Sequence, residues 1–325
     1  MKLVDSFGRK INYLRLSVTD RCNMRCRYCM PAGGVPKVSH AQVLSYEELE
    51  RIGRAAVAVG IEKIRVTGGE PLVRRDIIPF LSRLSAIEGL KQLVLTTNGV
   101  LLEEMAGRLR EAGVQRLNVS LDSLDADNFC AITRRNDLKR VLAGIEAAHR
   151  EGFPIKINMV VMRGVNDHEI ETVAALAAER PFTVRFIEYM PSGKEEQWQS
   201  LVVSGSEILT RLSARFPLKP VLRGELAGPA EEYHIEGAEG TLGIITPVTG
   251  HFCARCNRIR VTSTGKARSC LFAGGDLDLK PFLGEGDAPQ LEDALCRLVL
   301  AKPGRHQMSA ESAEHDAFAM SAIGG

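Results

Sequence analysis

The sequence predicts an α/β fold: an incomplete, six-stranded parallel β/α barrel over residues 1–220, followed by a smaller region over 221–325. Three observations carry this expectation. Strand-like and helix-like segments alternate from residue 11 to residue 190, the pattern of parallel strands joined by crossover helices. Four strand-like segments centre a basic residue between apolar neighbours, which turns the basic side chains to one face. Six cysteines form two triplets more than 220 residues apart, one after the first strand and one in the smaller region.

Taken in order, the first strand is Tyr13–Val18, and it runs into the C-x3-C-x2-C spacing of Cys22, Cys26 and Cys29. Helical periodicity over Tyr46–Val59 leads to a second strand, Lys63–Thr67, closed by the turn Gly68-Gly69-Glu70-Pro71. Helices over Ile77–Leu84, Leu102–Ala112, Leu138–Arg150 and His168–Ala178 then alternate with strands Gln92–Thr97, Arg116–Leu121, Ile155–Val161 and Thr183–Tyr189. Six strands fall short of the eight of a closed barrel, so an incomplete barrel or open sheet is expected. The polar stretch 191–203 marks the boundary region. Beyond it come a helix near Ser206–Phe216, short strands near Glu232–Ile235 and Thr241–Thr246, the triplet Cys253, Cys256 and Cys270, and a helix over Gln290–Leu300.

Composition narrows the function classes. With 325 residues, 45% hydrophobic and 25% charged, the chain can bury a large core. A net charge of +2 and 5% aromatic residues imply no general affinity for nucleic acid or membranes. The N-terminal segment has no signal-like apolar core and no run of about 18 apolar residues occurs, so a reducing, cytoplasmic location is expected. Eight cysteines in 325 residues are too sparse for a disulfide framework there. Clustered thiolates in that setting bind metal, and each triplet is one ligand short of a closed four-thiolate site. Three thiolates on a four-iron cluster leave one iron open to a small molecule. Zinc is the competing assignment for the second triplet, since C-x2-C is also a zinc-knuckle spacing and His251 offers a fourth ligand. Cys130 and Cys296 stand alone in apolar helical patterns and are expected to be packing residues.

The four strand-centred basic residues are Arg15, Arg65, Lys156 and Arg185. With their apolar neighbours against the outer helices, these charges face the barrel interior. Buried charge is costly unless paired. One solution is pairing with interior acids, for which Asp122 and Glu188 are candidates; the other is a polyanionic ligand such as a triphosphate. The same parity turns Ser17, Thr67, Thr96, Asn118, Ser120 and Asn158 inward, giving a polar lumen. The paired glycines of the Gly68–Pro71 turn remove side-chain bulk at a strand end, where such folds bind ligands.

The first triplet, Tyr28 before its last cysteine, and the Gly-Gly-Glu-Pro turn together resemble the radical S-adenosylmethionine superfamily. The second triplet, the adjacent Arg258-Ile259-Arg260 and the terminal Ile323-Gly324-Gly325 narrow the resemblance to the GTP 3′,8-cyclase family, which opens molybdenum-cofactor (molybdopterin) biosynthesis. It runs from about Asp5 to the last residue.

This resemblance implies two [4Fe-4S] clusters, one on Cys22, Cys26 and Cys29 and one on Cys253, Cys256 and Cys270. The first would bind S-adenosylmethionine and release a 5′-deoxyadenosyl radical; the second would contact the guanine of GTP. Tyr28, Gly69, Ser120 and Met190 match positions that bind S-adenosylmethionine. Arg15, Arg65, Thr96, Lys156 and the Arg258-Ile259-Arg260 stretch match GTP-contacting positions, and Arg185 joins them on the strength of its strand position. Arg258 and Arg260 would also direct or protonate the reduced guanine radical. Implied partners are GTP, a low-potential electron donor and a downstream cyclic pyranopterin monophosphate synthase, with the chain a monomer or homodimer. Family tails enter the active site and carry a basic residue shortly before the final di-glycine; this tail, Phe318 to Gly325, has none.

Two other classes are weighed. A peptide maturase with an auxiliary cluster generally has more C-terminal cysteines and no need of a basic lumen. A zinc module that binds nucleic acid fits poorly with the near-neutral charge.

Overall fold

The computed structural model describes residues 3–35, 38–39, 41–191, 197–272 and 274–308. Six strands follow one another as β1 (Tyr13–Ser17), β2 (Lys63–Thr67), β3 (Gln92–Thr97), β4 (Arg116–Ser120), β5 (Ile155–Val161) and β6 (Thr183–Glu188). The helices between them are α1 (Tyr46–Ala58), α2 (Ile77–Ser85), α3 (Leu102–Glu111), α4 (Ala126–Thr133), α5 (Leu138–Arg150) and α6 (Ile170–Glu179). After α7 (Gly205–Arg215) come β7 (Leu218–Pro220), β8 (Glu231–Ile235), β9 (Thr241–Ile245), β10 (Arg258–Val261), β11 (Lys266–Arg268), β12 (Leu277–Asp278) and α8 (Ala288–Leu300).

Strands β1 to β6 pair in sequence order, each parallel to the next. The sheet does not stop at six. β10 adds parallel to β1, and β9 adds parallel to β6. Antiparallel β11 and β12 extend one side, and β8 and β7 the other. No pairing joins β12 to β7 among the described residues, so the sheet remains open. The region after residue 220 thus supplies a strand to each edge of the six-stranded run, which local sequence pattern does not reveal.

Local signals explain the elements that were legible. Ser45 caps α1: its Oγ accepts from the Glu48 N–H at 3.1 Å while the Glu48 carboxylate accepts from the Ser45 N–H at 2.7 Å. Replacing such a cap costs about 1 kcal/mol. The apolar neighbours of the strand-centred basic residues, among them Leu14, Leu16, Ile64, Val66, Ile155, Ile157, Val184 and Phe186, are all in the core under the helices. Helix α4 was not expected; it is only eight residues long and is started by Asp125, which accepts from the Asn128 N–H at 2.8 Å. Cys130 lies half-buried on α4, and Cys296 on α8 packs against the core. No helix among the described residues is long and apolar enough to cross a membrane.

Candidate active site between two cysteine triplets

The first triplet sits on the loop that leaves the C-terminal end of β1. Its root is pressed against the β2 turn. Gly69 N–H donates to the Thr19 carbonyl and Glu70 N–H to that of Arg21, both at 2.7 Å. A Cβ on Gly69 would stand 2.3 Å from the Arg21 carbonyl oxygen, and one on Gly68 2.6 Å from that of Thr19. The paired glycines therefore make room first for the cysteine loop, and only secondarily for a ligand. Buried Glu70 ties this turn to the end of β3, accepting from the Thr97 hydroxyl at 2.9 Å and the Asn98 N–H at 2.6 Å. Burial raises its pKa to about 7.

The far end of the loop is fixed to α4 through Arg25 N–H to the Thr133 carbonyl and Arg27 N–H to that of Ile132. Cys22, Cys26 and Cys29, none of them in a disulfide, line one cavity. Burial pushes the Cys22 thiol up and the Cys26 thiol well above the ordinary range. Convergent buried thiols of this kind become thiolates when a bound metal compensates their charge. Tyr28 donates its hydroxyl to Asp122 at 2.8 Å, and the other Asp122 oxygen accepts from the Val160 N–H at 2.9 Å. Burial holds the Tyr28 hydroxyl protonated and lifts Asp122 to about 6.

The second triplet faces the first across the same cavity. Cys253 and Cys256 lie on a short helical turn just before β10, and Cys270 follows β11. Arg9, paired with Asp5, donates to the carbonyls of Cys253, Pro303 and Gly304 and so anchors the turn to the N-terminal segment. Lys302 donates to the carbonyls of Arg258 and Ser269, joining both sides of the triplet. Burial pushes the Cys256 thiol up, but Arg258 and Lys302 outweigh it and bring the thiol down to about 6. His251 and His306 approach with ring nitrogens 3.4 Å apart, and their ligand atoms and the Cys253 sulfur lie within 4.8 Å of one another. This side of the cavity thus offers three thiols and the His306 imidazole, with His251 next to it.

Between the triplets runs a basic lumen. In register across β10, β1 and β2, Arg260, Arg15 and Arg65 stand side by side. Burial and the neighbouring guanidiniums push Arg15 well down, and burial brings Arg260 to about 9. A guanidinium does not deprotonate in practice, so the row keeps its charge, and an anion would relieve the mutual repulsion of Arg15 with Arg260 and Arg65. Arg65 and Arg185 both donate to the neutral amide oxygen of Asn118, at 3.4 and 2.6 Å. Their Nε atoms, and the Thr96 hydroxyl, are buried with no hydrogen-bond partner among the described residues. Toward the N-terminal ends of the strands the lumen opens into a chamber of about 450 Å³ that adds Lys63, Arg116, Lys156 and Arg255. Arg65 and Arg185 line both spaces. The interior acids named from sequence do not neutralise this row: Asp122 holds Tyr28, and Glu188 accepts from the N–H groups of Gly205, Val248 and Thr249. Pairing with an acid is seen at Lys156, whose partner is Glu232, and at Arg255, whose partner is Glu231.

The chain is similar to known proteins along its length. Residues 16–177 match the radical SAM superfamily model and residues 182–308 the "Molybdenum Cofactor Synthesis C" model. A GTP 3′,8-cyclase of Geobacter sulfurreducens is 65% identical over 100% of both chains. One of Moorella thermoacetica is 46% identical over 99% of both. The chain belongs to the GTP 3′,8-cyclase family. It is accordingly a radical S-adenosylmethionine enzyme. The fold also resembles the crystal structure of Streptococcus suis SuiB bound to S-adenosylmethionine, with a TM-score of 0.61 at 14% identity, covering 91% of this chain and 66% of that one.

Membership in a radical S-adenosylmethionine family implies a [4Fe-4S] cluster and S-adenosylmethionine, and the first triplet fits the cluster. Its three thiols converge on a cavity that also holds Tyr28, Gly69, Ser120 and Met190. Arg15, Arg65, Thr96, Arg185, Arg258 and Arg260 line the same cavity, while Lys156 lies in the adjoining chamber. Two sequence-based placements change. The Ile259 side chain is fully buried in the hydrophobic core, so the Arg258-Ile259-Arg260 stretch presents its two arginines but not the isoleucine to the lumen. Ser17 is buried and donates to the Thr19 carbonyl at 3.4 Å; it lines neither space. The di-glycine tail, Gly324 and Gly325, lies outside the described residues.

The strand pattern also passes over Lys63 and Arg116, because each has one polar neighbour, Glu62 and Gln115. Parity was the available signal: Lys63 is two residues before Arg65, and Arg116 two before Asn118, on the same face of their strands.

Proposed function

We infer that the chain catalyses the radical cyclisation of GTP to (8S)-3′,8-cyclo-7,8-dihydroguanosine 5′-triphosphate, the first step of molybdopterin biosynthesis. The observation that carries this reading is the single lumen in which two cysteine triplets face each other across a row of guanidiniums. When bound at Cys22, Cys26 and Cys29, a [4Fe-4S] cluster supplies the electron that cleaves S-adenosylmethionine and releases a 5′-deoxyadenosyl radical. Cys253, Cys256 and Cys270 hold a second [4Fe-4S] cluster in this reading; the low pKa of Cys256 and its arginine and lysine neighbours support a thiolate ligand there.

Tyr28, locked by Asp122, closes the wall beside the first triplet, and Gly69, Ser120 and Met190 complete the S-adenosylmethionine pocket. Arg15, Arg65, Thr96, Lys156, Arg185, Arg258 and Arg260 receive GTP. The orphaned Nε groups of Arg65 and Arg185 and the Thr96 hydroxyl are donors suited to phosphate and ribose oxygens. Gripping the triphosphate at the base of the lumen fixes the ribose near the first triplet and the guanine near the second, the usual gain from orientation. Arg258 and Arg260, beside the second triplet, direct the guanine by hydrogen bonds as the cyclised nucleotide is reduced. A low-potential donor supplies the electrons, and a cyclic pyranopterin monophosphate synthase takes the product from the monomer or homodimer.

The test is anaerobic incubation of the reconstituted enzyme with S-adenosylmethionine, GTP and a strong reductant. A cyclised nucleotide, separated from GTP by chromatography, is expected together with 5′-deoxyadenosine. Stoichiometric zinc in place of iron, with no such product, would favour the zinc alternative at the second triplet.

A further inference from the structure

One acid reaches into the phosphate end of the lumen. Lys156 on β5 pairs with Glu232 on β8, and their side chains are 15% and 29% exposed. Glu232 reaches it because the strand between β8 and β6 is bare at that level. In register, Asn158, Arg185, Gly243 and Glu232 follow one another across β5, β6, β9 and β8. A Cβ at Gly243 would stand 2.8 Å from Cγ of Arg185. Glycine there lets Arg185 lie along the sheet and leaves no side chain between it and Glu232. The chamber's other acid, Glu231, is engaged with Arg255 near the surface.

We infer that Glu232 is an affinity-setting residue of the nucleotide site, a carboxylate that competes with the ligand's terminal phosphates for Lys156. The inference rests on the reading that Lys156 grips GTP phosphates. A carboxylate and a phosphate oxygen both accept from one ammonium, and like charges brought within about 4–6 Å disfavour each other. Glu232 therefore weakens the grip of a strongly cationic chamber on a polyanion. The triphosphate does not react, so a grip on it is equally tight in substrate and transition state and gives no rate advantage once the site is full, while the cyclised product keeps the triphosphate and is held by the same grip. Glu232 sets that grip at a level from which the product can leave.

The test measures binding of GTP and of guanosine to the anaerobically reconstituted enzyme without S-adenosylmethionine, for the parent, Glu232→Gln and Lys156→Ala. Glu232→Gln is expected to bind GTP about three- to ten-fold more tightly, allowing for the partial exposure of the pair, and guanosine unchanged. Unchanged or weaker GTP binding overturns the inference, since Glu232 would then merely position Lys156. Equal tightening for GTP and guanosine also overturns it. If Lys156→Ala binds GTP as the parent does, the underlying reading of the phosphate site fails instead. Should Glu232→Gln misfold, Glu232→Ala removes the same charge and is held to the same outcomes.

Discussion

Lys63 stands at the start of β2, with its ammonium 4.6 Å over the Tyr13 ring and 3.1 Å from the Leu226 carbonyl. Burial, reinforced by Arg65, Arg116, Lys156 and Arg185, brings it down to about 6. Lys156 comes down to about 8, again chiefly through burial. A bound polyphosphate opposes both effects and raises both pKa values. Protonation is then favoured by the ligand, so binding takes up protons and GTP affinity rises as pH falls from about 9 toward about 6. Calorimetry at about pH 8 in buffers of different ionisation enthalpy should show uptake of roughly one proton per GTP. Proton release, or none, would mean the phosphates do not reach Lys63 and Lys156. At this scale the sequence was readable wherever a charge interrupted an apolar strand, as at Arg65. It was silent at Lys63 and Arg116, whose flanks look like ordinary surface, and at Glu232, whose role depends on the glycine opposite it on the neighbouring strand.

At the scale of elements, the six β/α repeats were legible because each helix and strand carries its own apolar period. The joints were less so. Nothing local marks β9 and β10 as parallel partners of β6 and β1, since those pairings close loops of long sequence separation. The Gly68–Pro71 turn was recognisable, but its physical reason is the cysteine loop lying directly on it. This gives a sharp expectation for Gly69→Ala. The added methyl meets backbone at 2.3 Å, with the Asp20 carbonyl also at 2.8 Å, so the loop carrying Cys22 must move. Overpacking of this sort costs about 1–3 kcal/mol. Reconstituted Gly69→Ala should lose the first cluster and keep the second, dropping from about eight irons per chain to about four. Full iron content with normal S-adenosylmethionine cleavage would show that the loop tolerates the shift.

For the whole molecule, the C-terminal region contributes sheet edges and one wall of the active site together. β10 sets Arg260 beside Arg15, and the turn before it carries Cys253 and Cys256 into the cavity of the first triplet. The two triplets should therefore have separable duties. Cys26→Ala is expected to abolish reductive cleavage of S-adenosylmethionine, whereas Cys256→Ala should retain uncoupled cleavage but lose cyclisation of GTP. Equal loss of cleavage in folded forms of both variants would contradict that division.

In the proposed site one lumen presents the ribose of GTP to the first triplet's side and the guanine to the second. It predicts which hydrogen is removed. Because abstraction of a hydrogen atom followed by reduction returns a product with the mass of GTP, the informative readout is the label. With GTP deuterated at C3′, a single anaerobic turnover should yield 5′-deoxyadenosine carrying one deuterium, matched to loss of the label from the cyclised nucleotide. Unlabelled 5′-deoxyadenosine formed alongside cyclised product would contradict the placement of the ribose, and with it the account of the site.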